Sequence, residues 1–122
     1  LFPHARKRIV KATLKETLSS LTLDSDTFAV VASHILDAEA VALLLAKEVA
    51  YLGVLGSQHK AHALYERFGP AAALYVPMGV DIGAESPEEI AISVIAEILA
   101  VKHKRKAGLL RTTLPLCEAD EN

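Results

Sequence analysis

Toward the C-terminal end of the chain, Ile90, Val94, Ile98 and Val101 recur at helical spacing, with Ile92, Ile95 and Leu99 beside them. Glu89, Ser93 and Glu97 break the apolar pattern at four-residue steps. The pattern predicts a long helix with one narrow polar stripe. Such a helix is expected to be covered on most sides, by a sheet on one and a second surface on another. Ser86-Pro87-Glu88-Glu89 marks its start: a good N-cap, a proline suited to the first helical position and a glutamate that completes a capping box. Upstream, the continuous apolar run over residues 28–32 and residues 51–55 predict buried strands. Arg8-Ile9-Val10 predicts a short strand, and residues 74–76 a last one. Between them fall amphipathic segments. Leu14, Leu18 and Leu21 make a short helix, ended by the polar turn Asp24-Ser25-Asp26. Asp37 caps a helix through Val49, with Val41, Leu44 and Leu45 on one face. Ser57 starts another, carrying Ala61, Leu64, Tyr65 and Phe68, and Gly69-Pro70 stops it. Strands alternating with helices predict an α/β fold with a mainly parallel sheet and helices on both faces.

Composition narrows the picture. The 122 residues suffice for one small domain, over residues 1–108, with an irregular extension over 109–122. Half of the chain is hydrophobic (52%) with only six Tyr and Phe and no Trp, which suits strands buried on both faces by aliphatic side chains. A net charge of −2 offers no general attraction to nucleic acid or anionic membrane. No apolar run reaches the roughly 18 residues of a membrane span. The lone cysteine, Cys117, allows no internal disulfide, and a cytoplasmic location is the simplest expectation. The chain begins at Leu1 rather than Met, which suggests a fragment or a trimmed product.

Candidate chemistry gathers at the predicted strand ends. Gly53-x-x-Gly56-Ser57 lies at a strand-to-helix junction, where backbone N–H groups favour anions and glycine lets a phosphate approach. Lys60, one turn on, would add charge; equally, the glycines serve a tight turn. His34 follows a buried strand, where parallel sheets place ligands, and is a candidate hydrogen-bond donor or proton shuttle. Asp81 and Gly83 occupy the loop before the long helix, where Asp81 would bind a ligand amine or hydroxyl, or satisfy loop N–H groups. His59 and His62 share a helix side without a third ligand, too little for a metal site. The basic run Lys102-His103-Lys104-Arg105-Lys106 is expected in the last turns of the long helix, where it complements the helix dipole. The run is not expected to bind nucleic acid.

Three stretches carry a family resemblance: Phe2-Pro3-His4-Ala5 near the start, Tyr51 to Lys60 (Tyr-x-Gly-x-x-Gly-Ser-x-x-Lys), and Pro77 to Ala91 (Pro-x-Gly-x-Asp-Ile-Gly-x-x-x-Pro-Glu-Glu-Ile-Ala). The chain resembles the C-terminal, Rossmann-like domain of the xanthine dehydrogenase accessory proteins, the XdhC/CoxI family. At the family's Thr-His-Asp position it has Ser33-His34-Ile35. The resemblance implies an incomplete Rossmann-like domain, because the earlier strand, glycine-rich turn and second strand of family members are absent from these residues. It implies a non-catalytic accessory role: binding molybdenum cofactor, protecting it and delivering it to an apo molybdenum hydroxylase. Gly53, Gly56, Ser57, Lys60 and His34 are the expected contacts, with Asp81 and Gly83 behind them. An NAD(P)-binding redox module is the first alternative, although the chain contains no G-x-G-x-x-G. A module that only dimerises or docks a partner through the long helix is the second. An open sheet edge favours a homodimer.

Overall fold

In a computed structural model of the chain, Ala5, residues 13–33 and residues 37–111 are described. The predicted strand at Arg8–Val10, the Phe2–Pro3 motif, His34 and Cys117 lie outside the described residues.

The described elements are α1 (Leu14–Ser19), β1 (Phe28–Val31), α2 (Asp37–Leu45), β2 (Tyr51–Val54), α3 (Gln58–Phe68), β3 (Leu74–Tyr75) and α4 (Pro87–Lys102). The three strands pair in parallel in the order β1-β2-β3. Phe28 lies opposite Tyr51, and Gly53 opposite Tyr75. Strand alternation then divides the side chains between two faces. Val31, Leu52, Val54 and Leu74 share one face and form a buried cluster with Leu18 of α1, Val41 and Leu44 of α2, and Ala61 and Leu64 of α3. Phe28, Tyr51 and Tyr75 stack on the other face, with ring centroids 5.7 and 4.7 Å apart. There Tyr51 donates a 2.6 Å hydrogen bond to Glu97 of α4. The α/β class, the parallel sheet and the helices on both faces are as expected from the sequence.

Local chemistry sets most boundaries. Thr13 and Glu16 form a reciprocal capping box at the start of α1, as Ser86 and Glu89 do at the start of α4. Ser57 caps α3 by accepting from the Lys60 N–H. At its other end Gly69 adopts a positive φ of 74° and returns its N–H to the Tyr65 carbonyl. A cis peptide joins Val76 to Pro77 beyond β3.

Three expectations are corrected. First, α2 stops at Leu45, not Val49. Lys47 and Glu48 donate to the Leu44 and Leu45 carbonyls in tight turns, and Glu48 takes a positive φ of 56°. The reversal sets buried Val49 into the core and leads straight into β2. Second, only Lys102 of the basic run belongs to α4. Lys104 takes φ 58°, its N–H bonds the Val101 carbonyl and that of Arg105 the Ala100 carbonyl, a Schellman closure without glycine. Third, the cover predicted for α4 is reversed. Two residues of its polar stripe face the domain, with Ser93 buried and Glu97 bonded to Tyr51, while Glu89 is exposed at the helix start and Ile92, Ile95 and Leu99 are 63%, 55% and 48% exposed.

Candidate functional site

The carboxyl ends of parallel strands are where an open α/β sheet leaves a crevice. Here an open cleft of about 1250 Å³ lies there. Its walls come from Val30 and Ser33 at the end of β1, Leu55 to Gln58 between β2 and α3, Lys60, the loop from Pro77 to Ala84, and the first turns of α4. The two long sequence motifs thus meet across one space. The walls are largely apolar: Val30, Leu55, Val80, Ile82, Ile90 and Val94 all contribute. Polar character is local. At one end stands the start of α3, whose first-turn N–H groups have no partner inside the helix and carry partial positive charge. At another stands Asp81, exposed on the loop.

The expected site residues separate into three groups. Gly56, Ser57, Lys60, Asp81 and Gly83 all line the cleft. Gly56 is exposed, and a Cβ there would run into the Lys60 side chain. Gly83 holds φ 72° with open space around it, so the turn geometry explains its glycine. Gly53 is not among the lining residues. It is buried in mid-strand, where a Cβ would strike the Tyr51 ring and the Met78 thioether. Close packing of Tyr51 across the strand is sufficient reason for glycine at this position. His34 lies outside the described residues.

The Lys60 ammonium is not directed freely at the cleft. It pairs with the Asp37 carboxylate at 2.6 Å and donates to the Leu55 carbonyl at 2.8 Å and the Ser33 carbonyl at 3.2 Å. The ammonium thereby ties the start of α2, the end of β1 and the β2–α3 turn together. The Asp37 Oδ1 atom is buried, with no hydrogen-bond partner among the described residues. Lys60 therefore fixes the shape of the cleft's floor, and its charge is already shared with Asp37 before any ligand arrives.

A second polar cluster, unanticipated in the sequence, fixes the loop that forms the opposite wall. Glu97 accepts from the Tyr51 hydroxyl and from the Gly79 N–H at 2.9 Å. The Val80 N–H donates to the Ser93 carbonyl at 3.1 Å. Gly79 has φ 111° and lies so close to Ser93 that a Cβ would meet its hydroxyl. Burial and the hydrogen bond to Glu97, with its negative charge, push the Tyr51 phenol far above its ordinary range, so it stays a neutral donor. The signal for this cluster was present as the Ser93/Glu97 stripe, and only its direction was hidden. His59 and His62 are both exposed, and no group of three metal-ligating side chains occurs among the described residues.

The sequence model of the XdhC Rossmann domain matches residues 2–98. The chain belongs to the XdhC Rossmann-domain family. This XdhC domain is 36% identical over 117 residues to YqeB of Escherichia coli K12, covering 90% of the chain and 22% of YqeB. It is 36% identical over 106 residues to a probable xanthine dehydrogenase subunit of Bacillus subtilis, covering 85% of the chain and 32% of that protein. A crystal structure of a xanthine dehydrogenase from Bacillus halodurans superimposes with a TM-score of 0.67 at 32% identity, over 86% of the chain and 31% of that protein. The XdhC domain thus spans between about a fifth and a third of the length of these relatives. None of its described helices is long and apolar enough to cross a membrane.

Proposed function

We propose that this XdhC domain serves as an accessory module for a molybdenum hydroxylase of the xanthine dehydrogenase type, binding molybdenum cofactor as cargo in the cleft and releasing it to the apo-enzyme. The observation that carries the proposal is the convergence of the two family motifs on one crevice at the strand ends. The residues present suit such a cargo. Apolar walls accept a flat heterocycle, and the α3 start, approached past Gly56, accepts its phosphate. Asp81 offers a carboxylate to the ring's amino and N–H donors. The role is binding and hand-over, with no turnover by the domain itself. The dinucleotide alternative rests on a glycine fingerprint that these residues do not contain.

Gln58→Glu is the decisive variant. Gln58 is exposed in the first turn of α3, so a new carboxylate there complements the helix dipole and leaves the fold intact. The same carboxylate repels a phosphate. Equilibrium binding of molybdenum cofactor, read as pterin retained after gel filtration, should weaken by about three- to tenfold, with thermal stability unchanged or raised. Unchanged retention would remove the phosphate from the α3 start. Tighter retention of NAD(H) than of the cofactor would replace the proposal with the dinucleotide reading.

A further inference from the structure

A lysine ammonium has three N–H donors. Lys60 directs one to Asp37 Oδ2 at 2.6 Å, one to the Leu55 carbonyl at 2.8 Å and one to the Ser33 carbonyl at 3.2 Å. No donor is left for a molecule in the cleft. The aliphatic stem of Lys60 lies across Gly56, so close that a Cβ there would meet its Cδ and Cε. The glycine therefore serves the lysine, and turn, stem and ion pair form one strut. Both partners are mostly shielded from water, the Lys60 side chain being 25% and that of Asp37 12% exposed. Lys60 lines the cleft, whereas Asp37 is not among the lining residues.

The charge at the cleft floor follows from this strut. In the first turn of α3 the Ser57 hydroxyl takes the Lys60 N–H, while those of Gln58 and His59 meet no acceptor among the described residues. Beside them the ammonium and the Asp37 carboxylate sum to no net charge. A phosphate at the α3 start thus meets the helix dipole and little of the lysine. Asp37 Oδ1 is buried with no hydrogen-bond partner among the described residues, so no donor there offsets the carboxylate. A neutral amide oxygen would complete the same three bonds to Lys60; a carboxylate also subtracts a full charge from the anion subsite. We infer that Asp37 is a positioning residue, acting through Lys60, that sets how firmly the cleft retains the anionic end of its cargo. It withholds the lysine's charge, so that the cargo is held loosely enough to be handed over. The inference rests on the reading of the cleft as a carrier site for molybdenum cofactor. It replaces direct contact, the role that spacing gave Lys60, with support.

Four forms of the full chain test this inference: wild type, Asp37→Asn, Lys60→Met and the double variant. Each is loaded with molybdenum cofactor, and both the pterin retained after gel filtration and the rate of its release on dilution are measured. Asp37→Asn keeps an acceptor for the ammonium and removes the opposing charge. It should tighten retention by about three- to tenfold and slow release to match, while the urea midpoint falls. Lys60→Met keeps an aliphatic stem over Gly56 and uncovers the carboxylate, so retention should weaken. The double variant restores neutrality and should fall between the two. A merely structural pair would lower the urea midpoint and retention together, so unchanged or weaker retention by Asp37→Asn overturns the inference. So does a double variant as weak as Lys60→Met, which would make Lys60 a direct contact. Gln58→Glu, measured alongside, separates the two ways to fail. If it weakens retention while Asp37→Asn does not tighten it, the cleft still carries cargo and Asp37 has no part in release. If the wild type retains no cofactor, the carrier reading fails and this inference with it.

Discussion

On one face of the sheet, Val31, Leu52, Val54 and Leu74 close against aliphatic side chains of α1, α2 and α3. On the other, aromatic rings stack flat, and α4 attaches through the Tyr51 hydroxyl, the Glu97 carboxylate and the backbone of Gly79 and Val80. The first face is held by burial, which is non-directional and grows with area. The second is held by a few directional bonds that place the loop from Pro77 to Ala84 against the cleft. Stability and site geometry are therefore carried mainly by different faces.

The largest break in this contrast should come from the aliphatic face. Leu52 is fully buried, so Leu52→Ala should cost about 2–5 kcal/mol in urea unfolding. Tyr51→Phe removes one hydroxyl and keeps the ring stack. It should cost about 1–2 kcal/mol, because Glu97 loses a partner in a partly buried site. Lys104→Gly should act in the opposite direction, raising stability by about 1 kcal/mol by relieving a left-handed backbone position at the end of α4. Smallest is the acid response of the α4 start. Backbone N–H groups of Glu85 and Ser86 hold the Glu89 carboxyl below its ordinary value. Its contribution is therefore complete above the usual glutamate range and fades as pH falls through the lowered value. Urea midpoints of wild type and Glu89→Gln should converge as pH drops from about 7 to about 3.

What the sequence made legible follows the same division. Chemistry within a few residues could be recognised: the Ser57 cap, the Ser86–Glu89 capping box and the Gly69 stop are all where their residue types placed them. The aliphatic strands and the parallel order were legible too, but burial on both faces holds for β2 alone: in β1, read as a buried strand from its continuous apolar run, Val30 is 49% exposed. The partnerships that cross the chain were not. Lys60 joins Asp37 across 23 positions and Glu97 joins Tyr51 across 46, and neither spacing leaves a local trace. The facing of α4 misled for a specific reason. A helix apolar nearly all round gives little net direction, so its few polar side chains read as the solvent stripe when two of them are the attachment. Gly53 shows the same limit, since its place in a motif does not tell a ligand's approach from a neighbouring ring's.

A double-mutant cycle on Tyr51 and Glu97 tests the attachment of α4 most directly. Tyr51→Phe, Glu97→Gln and the double variant would be compared with wild type by urea unfolding. The account predicts a coupling of about 1 kcal/mol or more, because the two groups share one partly buried bond. Additive losses, with no coupling beyond about 0.3 kcal/mol, would mean that Glu97 does not face the sheet, and that α4 presents its apolar side inward after all.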